Sequence, residues 1–396
     1  MYTSGVSCLV SNVMKIGIDA SRAFLSRRTG IEEYSYQLIK HLRDLLPQDA
    51  VVVLYVRKKI KFQNWKIVLT SPKIDFDLPS HWSVKSLWAP RLWTQARLSL
   101  EILFHRPDVL LVPAHTVPLI HPRKTVVTIH GLEYEFSPQS YAWYERFYMR
   151  WSIRFSVRAA SRVIAVSENT KRDLVQLYGV LEEGITVVYE GVDRDHQASS
   201  IKHQALNAES AILNAQYRIP YTKFFLFIGR LEERKNVKGI IEAFELFKTK
   251  TGLLHQLVLA GKPGYGYKYI KKQISKSKYQ DQIIELGYVS EEEKWELLKK
   301  SEAFVFPSLY EGFGLPILEA QLVGTPVITS NTSSLPEVVG DGAIFVDPLA
   351  TKKLARALVT LTTDSGRRAD IIDKAAKNVD RFSWARCARE VAALLY

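Results

Sequence analysis

The chain has only two cysteines in 396 residues, Cys8 and Cys387, one near each end. A disulfide framework is excluded as the source of stability, and a reducing, cytoplasmic setting is the expectation. No apolar run approaches the roughly 20 residues that a membrane-spanning helix needs. Residues 1–13 have no basic stretch ahead of a sufficient apolar core, so no secretory signal is read there. Internal repeats, low-complexity segments, zinc-finger spacing, an RNA-recognition signature and a long basic tail are also missing. The net charge of +13 therefore comes without a nucleic-acid motif. An anionic substrate or an acidic membrane surface accounts for it as well. Nucleic acid is not the expected partner, and a basic nucleic-acid-binding protein is kept as a remote alternative.

What is present is an ordinary globular composition, 47% hydrophobic and 24% charged, in a chain too long for one core. Apolar runs of strand length alternate with helix-length stretches. The first half reads as strands at 15–20, 51–56, 109–112, 125–129, 162–166 and 185–188. A helix spans 31–46, ended by Pro47, and another opens after Ser167 as N-cap. A second series begins at Phe224: helix 237–250, strand 256–260, helix 266–277, strand 282–286, helix 291–300, strand 303–306, a helix from Pro316, strand 326–329 and two terminal helices. The expected fold class is α/β, with two Rossmann-like, doubly wound parallel sheets. The domains are placed at 1–195 and 217–382, with a polar linker at 196–216.

The strongest local signal is Pro307-Ser308-Leu309-Tyr310-Glu311-Gly312-Phe313-Gly314-Leu315-Pro316-Ile317-Leu318-Glu319-Ala320, after the apolar Ala303-Phe304-Val305-Phe306. Pro316 suits the start of a helix and Gly324 its far end. The amides of Gly312, Phe313 and Gly314, with the unpaired N–H groups of the first helical turn, make an anion site. Glu311 and Glu319 bracket it. Carboxylates repel an anion but accept hydrogen bonds from hydroxyls. Amides for a diphosphate flanked by acceptors for sugar hydroxyls describe a nucleotide-sugar site.

Other loops end strands where ligands sit in open α/β sheets. Gly229-Arg230-Leu231-Glu232-Glu233-Arg234-Lys235 offers cations to a diphosphate through Arg230 and Lys235, and also reads as a charged surface loop. His130 ends the strand at 125–129 and is expected to face the cleft; a lone histidine is more often structural. Thr29-Gly30-Ile31-Glu32 reads as a close backbone approach to phosphate or as a plain helix start. Gly261 and Gly287-Tyr288-Val289 also follow strands.

The motif from Pro307 to Ala320 resembles the donor-binding signature of retaining glycosyltransferases of family 4, which have the GT-B fold. The match includes two glutamates separated by seven residues and the Gly-Phe-Gly-Leu-Pro between. The resemblance implies an active site in the cleft between two domains, a nucleotide-diphosphate sugar donor, retention at the anomeric carbon, and no metal or cofactor. It gives Glu311 to the donor sugar, Glu319 to the ribose, Arg230 and Lys235 to the diphosphate, and His130 to the sugar's surroundings. Gly30, Gly229, Gly261, Leu315 and the backbone at Val289 would line the donor. The family's acid after the histidine is replaced here by Gly131, and a second glycine near Gly30 by Glu32. The helix at 383–396 is expected to cross back to the first domain. The pattern resembles family mannosyltransferases, so GDP-mannose is the first choice of donor, a UDP-sugar the alternative, and a glycan or lipid-linked glycan the acceptor. A nucleotide-sugar epimerase is a further alternative.

Between Tyr141 and Arg162, six aromatics interleave with Arg146, Arg150, Arg154 and Arg158. The arginines fall on one helical stripe. Such a helix either packs on the core with its charges in solvent or lies on an anionic membrane, peripherally on its inner face. Residues 92–104 are a weaker second candidate.

Overall fold

A computed structural model describes residues 13–25, 28–63, 66–89, 93–192 and 223–396. The segment read as a linker, 196–216, lies outside the described residues. The first sheet contains β1 (Lys15–Asp19), β2 (Val51–Arg57), β5 (Trp82–Leu87), β6 (Val109–Val112), β7 (Lys124–Ile129), β8 (Arg162–Ala165) and β9 (Ile185–Val187), all paired in parallel in the order β5-β2-β1-β6-β7-β8-β9. A separate two-stranded antiparallel sheet is formed by β3 (Lys59–Gln63) and β4 (Lys66–Thr70). The second sheet contains β10 (Phe224–Ile228), β11 (Gln256–Ala260), β12 (Ile283–Gly287), β13 (Ala303–Phe306), β14 (Val327–Ser330) and β15 (Ala343–Val346), also parallel, in the order β12-β11-β10-β13-β14-β15. Continuous apolar runs such as Val109–Val112 and Ala303–Phe306 are buried on both faces because helices cover each sheet from two sides.

The sequence reading missed β3 and β4, and also β5 and β15, which are edge strands. Trp82–Leu87 is buried only at its two ends and carries Ser83, Lys85 and Ser86 between them, so it never forms an apolar run. The chain ends in three helices, Thr351–Thr363, Ser365–Val379 and Trp384–Ala393, where two were expected. The first helix, α1 (Gly30–Leu42), is shorter than the expected 31–46. Its end tightens, with the Leu45 and Leu46 amides both donating to the Leu42 carbonyl, and the chain turns back toward β2. At its start, Thr29 and Glu32 cap each other. The glutamate standing where the family often has glycine thus closes the helix N-terminus and pairs with Arg22 at 2.9 Å.

The last helix completes the first domain's core: Trp384, Cys387, Ala388, Val391 and Leu395 pack with Tyr34, Leu38 and Leu42 of α1. Gly191 lets the crossing chain pass, since a Cβ there would strike the Trp384 backbone. Burying side chains such as Val391 and Leu395 is worth about 1.5–3 kcal/mol each. In the second sheet the strand order reverses between β10 and β13. The loops after those two strands carry Gly229-Arg230 and Ser308–Gly314, so both candidate donor loops open at the switch point.

Candidate active site

Gly312 is where the two domains touch. A Cβ at this position would run into the His130 carbonyl, and it would lie 3.0 Å from the Gly131 Cα. Only glycine allows the loop after β13 to press against the end of β7. The carbonyls of this loop are tied back. Ser167 Oγ donates to the Gly312 carbonyl at 2.7 Å, with Thr170 Oγ1 at 3.3 Å. Ser334 Oγ donates to the Glu311 and Phe313 carbonyls at 2.9 and 2.8 Å. Among the described residues no protein acceptor bonds the amides of Gly312, Phe313 or Gly314. Gly314 then caps the helix Leu315–Leu322, with Pro316 in its first turn and Gly324 in the left-handed region just beyond it. The Phe313 ring faces away, packed against Phe382 at 5.8 Å. The result is a row of unfilled donors at the positive end of a helix.

Glu311 lies beside them, buried in a charge cluster. Its Oε1 accepts from Lys235 Nζ and Ser308 Oγ, both at 2.5 Å, and its Oε2 pairs with Arg234 at 3.2 Å. Burial pushes this carboxyl up, but Lys235 and Arg234 overcome it and hold the pKa at about 2. Arg234 also bonds Glu232 at 2.9 Å and the Tyr310 carbonyl at 2.5 Å. The short 3₁₀ turn Glu233–Lys235 aims Lys235 and Arg234 together at Glu311. Arg230 lies at the mouth instead, its side chain 63% exposed and its nearest ionic contact Glu232 at 3.8 Å. From the first domain Glu133 joins the cluster, its carboxyl raised by burial against the pull of Arg234. Tyr310 fastens the domains: its hydroxyl donates to Asp173 at 2.7 Å and accepts from the Leu132 amide at 3.2 Å, and its ring stacks on Phe136 at 4.2 Å.

Glu319 sits apart, bonded to Lys294 Nζ at 2.6 Å and raised by burial. It lines an interdomain pocket of about 250 Å³ with Arg28, Tyr36, Trp295, Leu315 and Trp384. Gly261 permits a second close approach, its Cα against the Gly229 carbonyl, and the Gly261 amide donates to Gly287 at 2.6 Å. Val289 follows as a buried residue of the second core. Gly30, the first residue of α1, has open space around it.

His130 differs from its expected orientation. Its imidazole is buried, with Nδ1 on Glu190 at 3.1 Å and Nε2 on the Pro113 carbonyl at 2.8 Å, and it packs edge-on against Tyr34 and His115. Both ring nitrogens are engaged by the protein, so the backbone of His130, not its ring, meets the donor loop. The structure thus gathers Glu311, Lys235, Gly312, Phe313 and Gly314 at one place, and sets Glu319 and Arg230 on either side. Sequence reasoning passed over Arg234, Glu133 and Lys294 as site residues, read Ser167 only as a helix N-cap, and placed Ser334 in a segment, 332–337, that resembles one near the nucleotide in the family. Arg234 stood in a quoted motif, next to Lys235; Glu133 and Lys294 carry no local signal.

Comparison with known proteins places the family and the fold. The family model for glycosyl transferases group 1 matches residues 212–378, and that for Glycosyltransferase Family 4 matches residues 28–196. O-antigen chain mannosyltransferase B of Escherichia coli is 28% identical over 73% of this chain and 73% of its own. O-antigen chain mannosyltransferase RfbU of Salmonella typhimurium is 26% identical over 81% of this chain and 83% of its own. Among solved structures, HepE of Anabaena in complex with UDP-glucose superposes with a TM-score of 0.70 at 19% identity, covering 96% of this chain and 98% of that one. WaaG, a glycosyltransferase involved in lipopolysaccharide biosynthesis, gives 0.69 at 15% identity over 97% and 99%. The two Rossmann-like domains and the cleft between them are those of a GT-B glycosyltransferase. The chain belongs to Glycosyltransferase Family 4.

Proposed function

We propose that the chain transfers mannose from GDP-mannose to a sugar hydroxyl of a glycan or lipid-linked glycan, with retention at the anomeric carbon and without a metal ion. The observation that carries the donor site is the loop at 311–314: the carbonyls of Glu311, Gly312 and Phe313 are taken by serine and threonine hydroxyls, while among the described residues the amides of Gly312, Phe313 and Gly314 have no protein acceptor. A diphosphate fits those donors and the helix behind them. Lys235, with Arg230 and Arg234, supplies the positive charge that grows in value as the leaving diphosphate forms. The bond from the anomeric carbon to the phosphate oxygen breaks, and the acceptor oxygen bonds the same face. The acceptor's proton passes to the leaving phosphate oxygen. Glu311 accepts from donor-sugar hydroxyls, and Glu319 takes the ribose after giving up part of its hold on Lys294. The mannosyl choice rests on relatives named as O-antigen mannosyltransferases.

A screen of GDP-mannose, GDP, UDP-glucose and UDP by thermal shift and donor hydrolysis tests this. GDP-mannose should stabilise the chain and be hydrolysed, and excess chelator should leave the rate unchanged. Turnover of a UDP-sugar alone overturns the donor. A rate lost to chelator and restored by manganese overturns metal independence.

A further inference from the structure

The helix α4 (Trp143–Ala159) buries Ser152, Ile153, Ser156 and Val157 against the first sheet. Arg146 and Arg150 turn in to Glu135, which also accepts from the Tyr178 hydroxyl. The arginine stripe read from the sequence is thus partly spent inside the domain, and the aromatics are what the helix shows to solvent. Trp143 is 81% exposed and Phe147 69%, with Tyr144, Tyr148 and Trp151 exposed beside them. Trp151 continues into Phe155 by a stacked pair at 5.9 Å, and Phe155 meets His121.

That contact joins a second apolar piece. The 116–121 segment is bonded to α4 through the Val117 amide on Ser156 and Thr116 on Ser152. It is bonded to the helix α2 (Ser99–Phe104) through the Ile120 amide on Ser99. Leu119 and Ile120 on the segment, and Leu103 and Phe104 on α2, are exposed. Patches of this kind are rare on monomers and mark interaction surfaces. Cations border the patch: Arg154 and Arg158 lie exposed on α4, and Arg106 and Arg123 near the other two pieces. The only carboxylate on α4 is Glu145, which is engaged in capping the helix.

We propose that this face, α4 with the 116–121 segment and α2, docks on an anionic lipid bilayer. Trp143 and Phe147 enter the interfacial region, and Arg154 and Arg158 meet lipid phosphates. An aromatic surface rimmed by cations fits that occupant better than an apolar protein face. The surface reaches the cleft directly, since α4 follows the helix Glu133–Phe136, whose Phe136 stacks on Tyr310. The proposal goes beyond the proposed reaction and holds for any donor.

The test is partition into vesicles of phosphatidylcholine alone and of phosphatidylcholine with phosphatidylglycerol, for wild type, W143S/F147S and R154E/R158E. Unchanged melting temperatures show that both variants fold, as expected for exposed sites. Wild type should prefer the anionic vesicles at least about tenfold and lose that preference in high salt. W143S/F147S should bind at least about tenfold more weakly at every salt concentration, because each buried aromatic adds substantially to partition. R154E/R158E should lose the preference for phosphatidylglycerol. Quenching of Trp143 fluorescence by brominated lipid should follow binding. Wild type that ignores anionic vesicles, or W143S/F147S that binds like wild type, overturns the proposal. A concentration-dependent dimer that W143S/F147S dissolves, with no vesicle binding, assigns the face to a second copy instead.

Discussion

Replacing Glu311 by glutamine keeps the side-chain volume and removes the charge on which the cluster of Lys235 and Arg234 is built. Lys235 Nζ would then lie buried 2.5 Å from a neutral amide, while Arg234 keeps Glu232 at 2.9 Å. Removing one partner of a buried pair costs about 3–5 kcal/mol. Titration gives a second route to the size. A carboxyl held at about 2 instead of 4.5, at about 1.4 kcal/mol for each pH unit, contributes on the order of 3 kcal/mol of folding stability. The sign follows from the direction: the folded value lies below the unfolded one, so this stability is complete above about pH 5 and drains away as pH falls toward 2. Urea unfolding of wild type and Glu311→Gln at pH 7, 5 and 3.5 reads it out. The variant should be less stable by about 3 kcal/mol at pH 7 and 5, and the difference should shrink to about 2 kcal/mol at pH 3.5. Saturating GDP should stabilise the variant more than wild type, because its two cations have lost their internal counter-charge. A constant difference across pH, or none, would refute the paired state of Glu311.

Two other substitutions probe the donor site from its edges. Glu319→Ala should weaken GDP ten- to a hundredfold by calorimetry, since a charge-assisted hydrogen bond to a ribose hydroxyl is worth about 1.5–3 kcal/mol; unchanged affinity would remove Glu319 from the nucleotide. Gly312→Ala should push the donor loop off the His130 carbonyl, widen the particle in small-angle scattering and lower turnover by about a hundredfold or more; a wild-type rate would show that the contact between domains is dispensable.

Much of this was legible along the chain, and the reasons are physical. Strands such as Gln256–Ala260 and Ala303–Phe306 were found because central parallel strands must be apolar throughout. The edge strand β5 was not, because an edge tolerates exposure and polar residues break its run, and the four-residue β15 was passed over although Ala343–Val346 is apolar throughout. The phosphate loop was legible because glycines, a proline and two glutamates stand at short fixed spacing. Its supports were not: Ser167 reaches the Gly312 carbonyl across 145 residues, and nothing near Ser167 announces it. The choice between arginines was equally hidden. Arg230 and Lys235 were picked from one loop, yet a single tight turn points Arg234 inward and leaves Arg230 at the mouth. His130 was placed in the cleft by its position at a strand end, and the carboxylate of Glu190, sixty residues on, draws its ring aside.

The return of the last helix to the first core has a consequence for synthesis. Trp384, Val391 and Leu395 complete a hydrophobic centre whose other members lie between Ile16 and Val188. The ribosome delivers those other members first and the closing helix last. At about 5–20 residues per second, the half made first waits on the order of 10–40 s for its final wall. During that interval the slot that α1 keeps for Trp384 stands open beside the exit tunnel. A chain stopped before Trp384 would fail in the domain farthest from the stop along the sequence, and a holding chaperone would find its target on the N-terminal half while the C-terminal half is still being made.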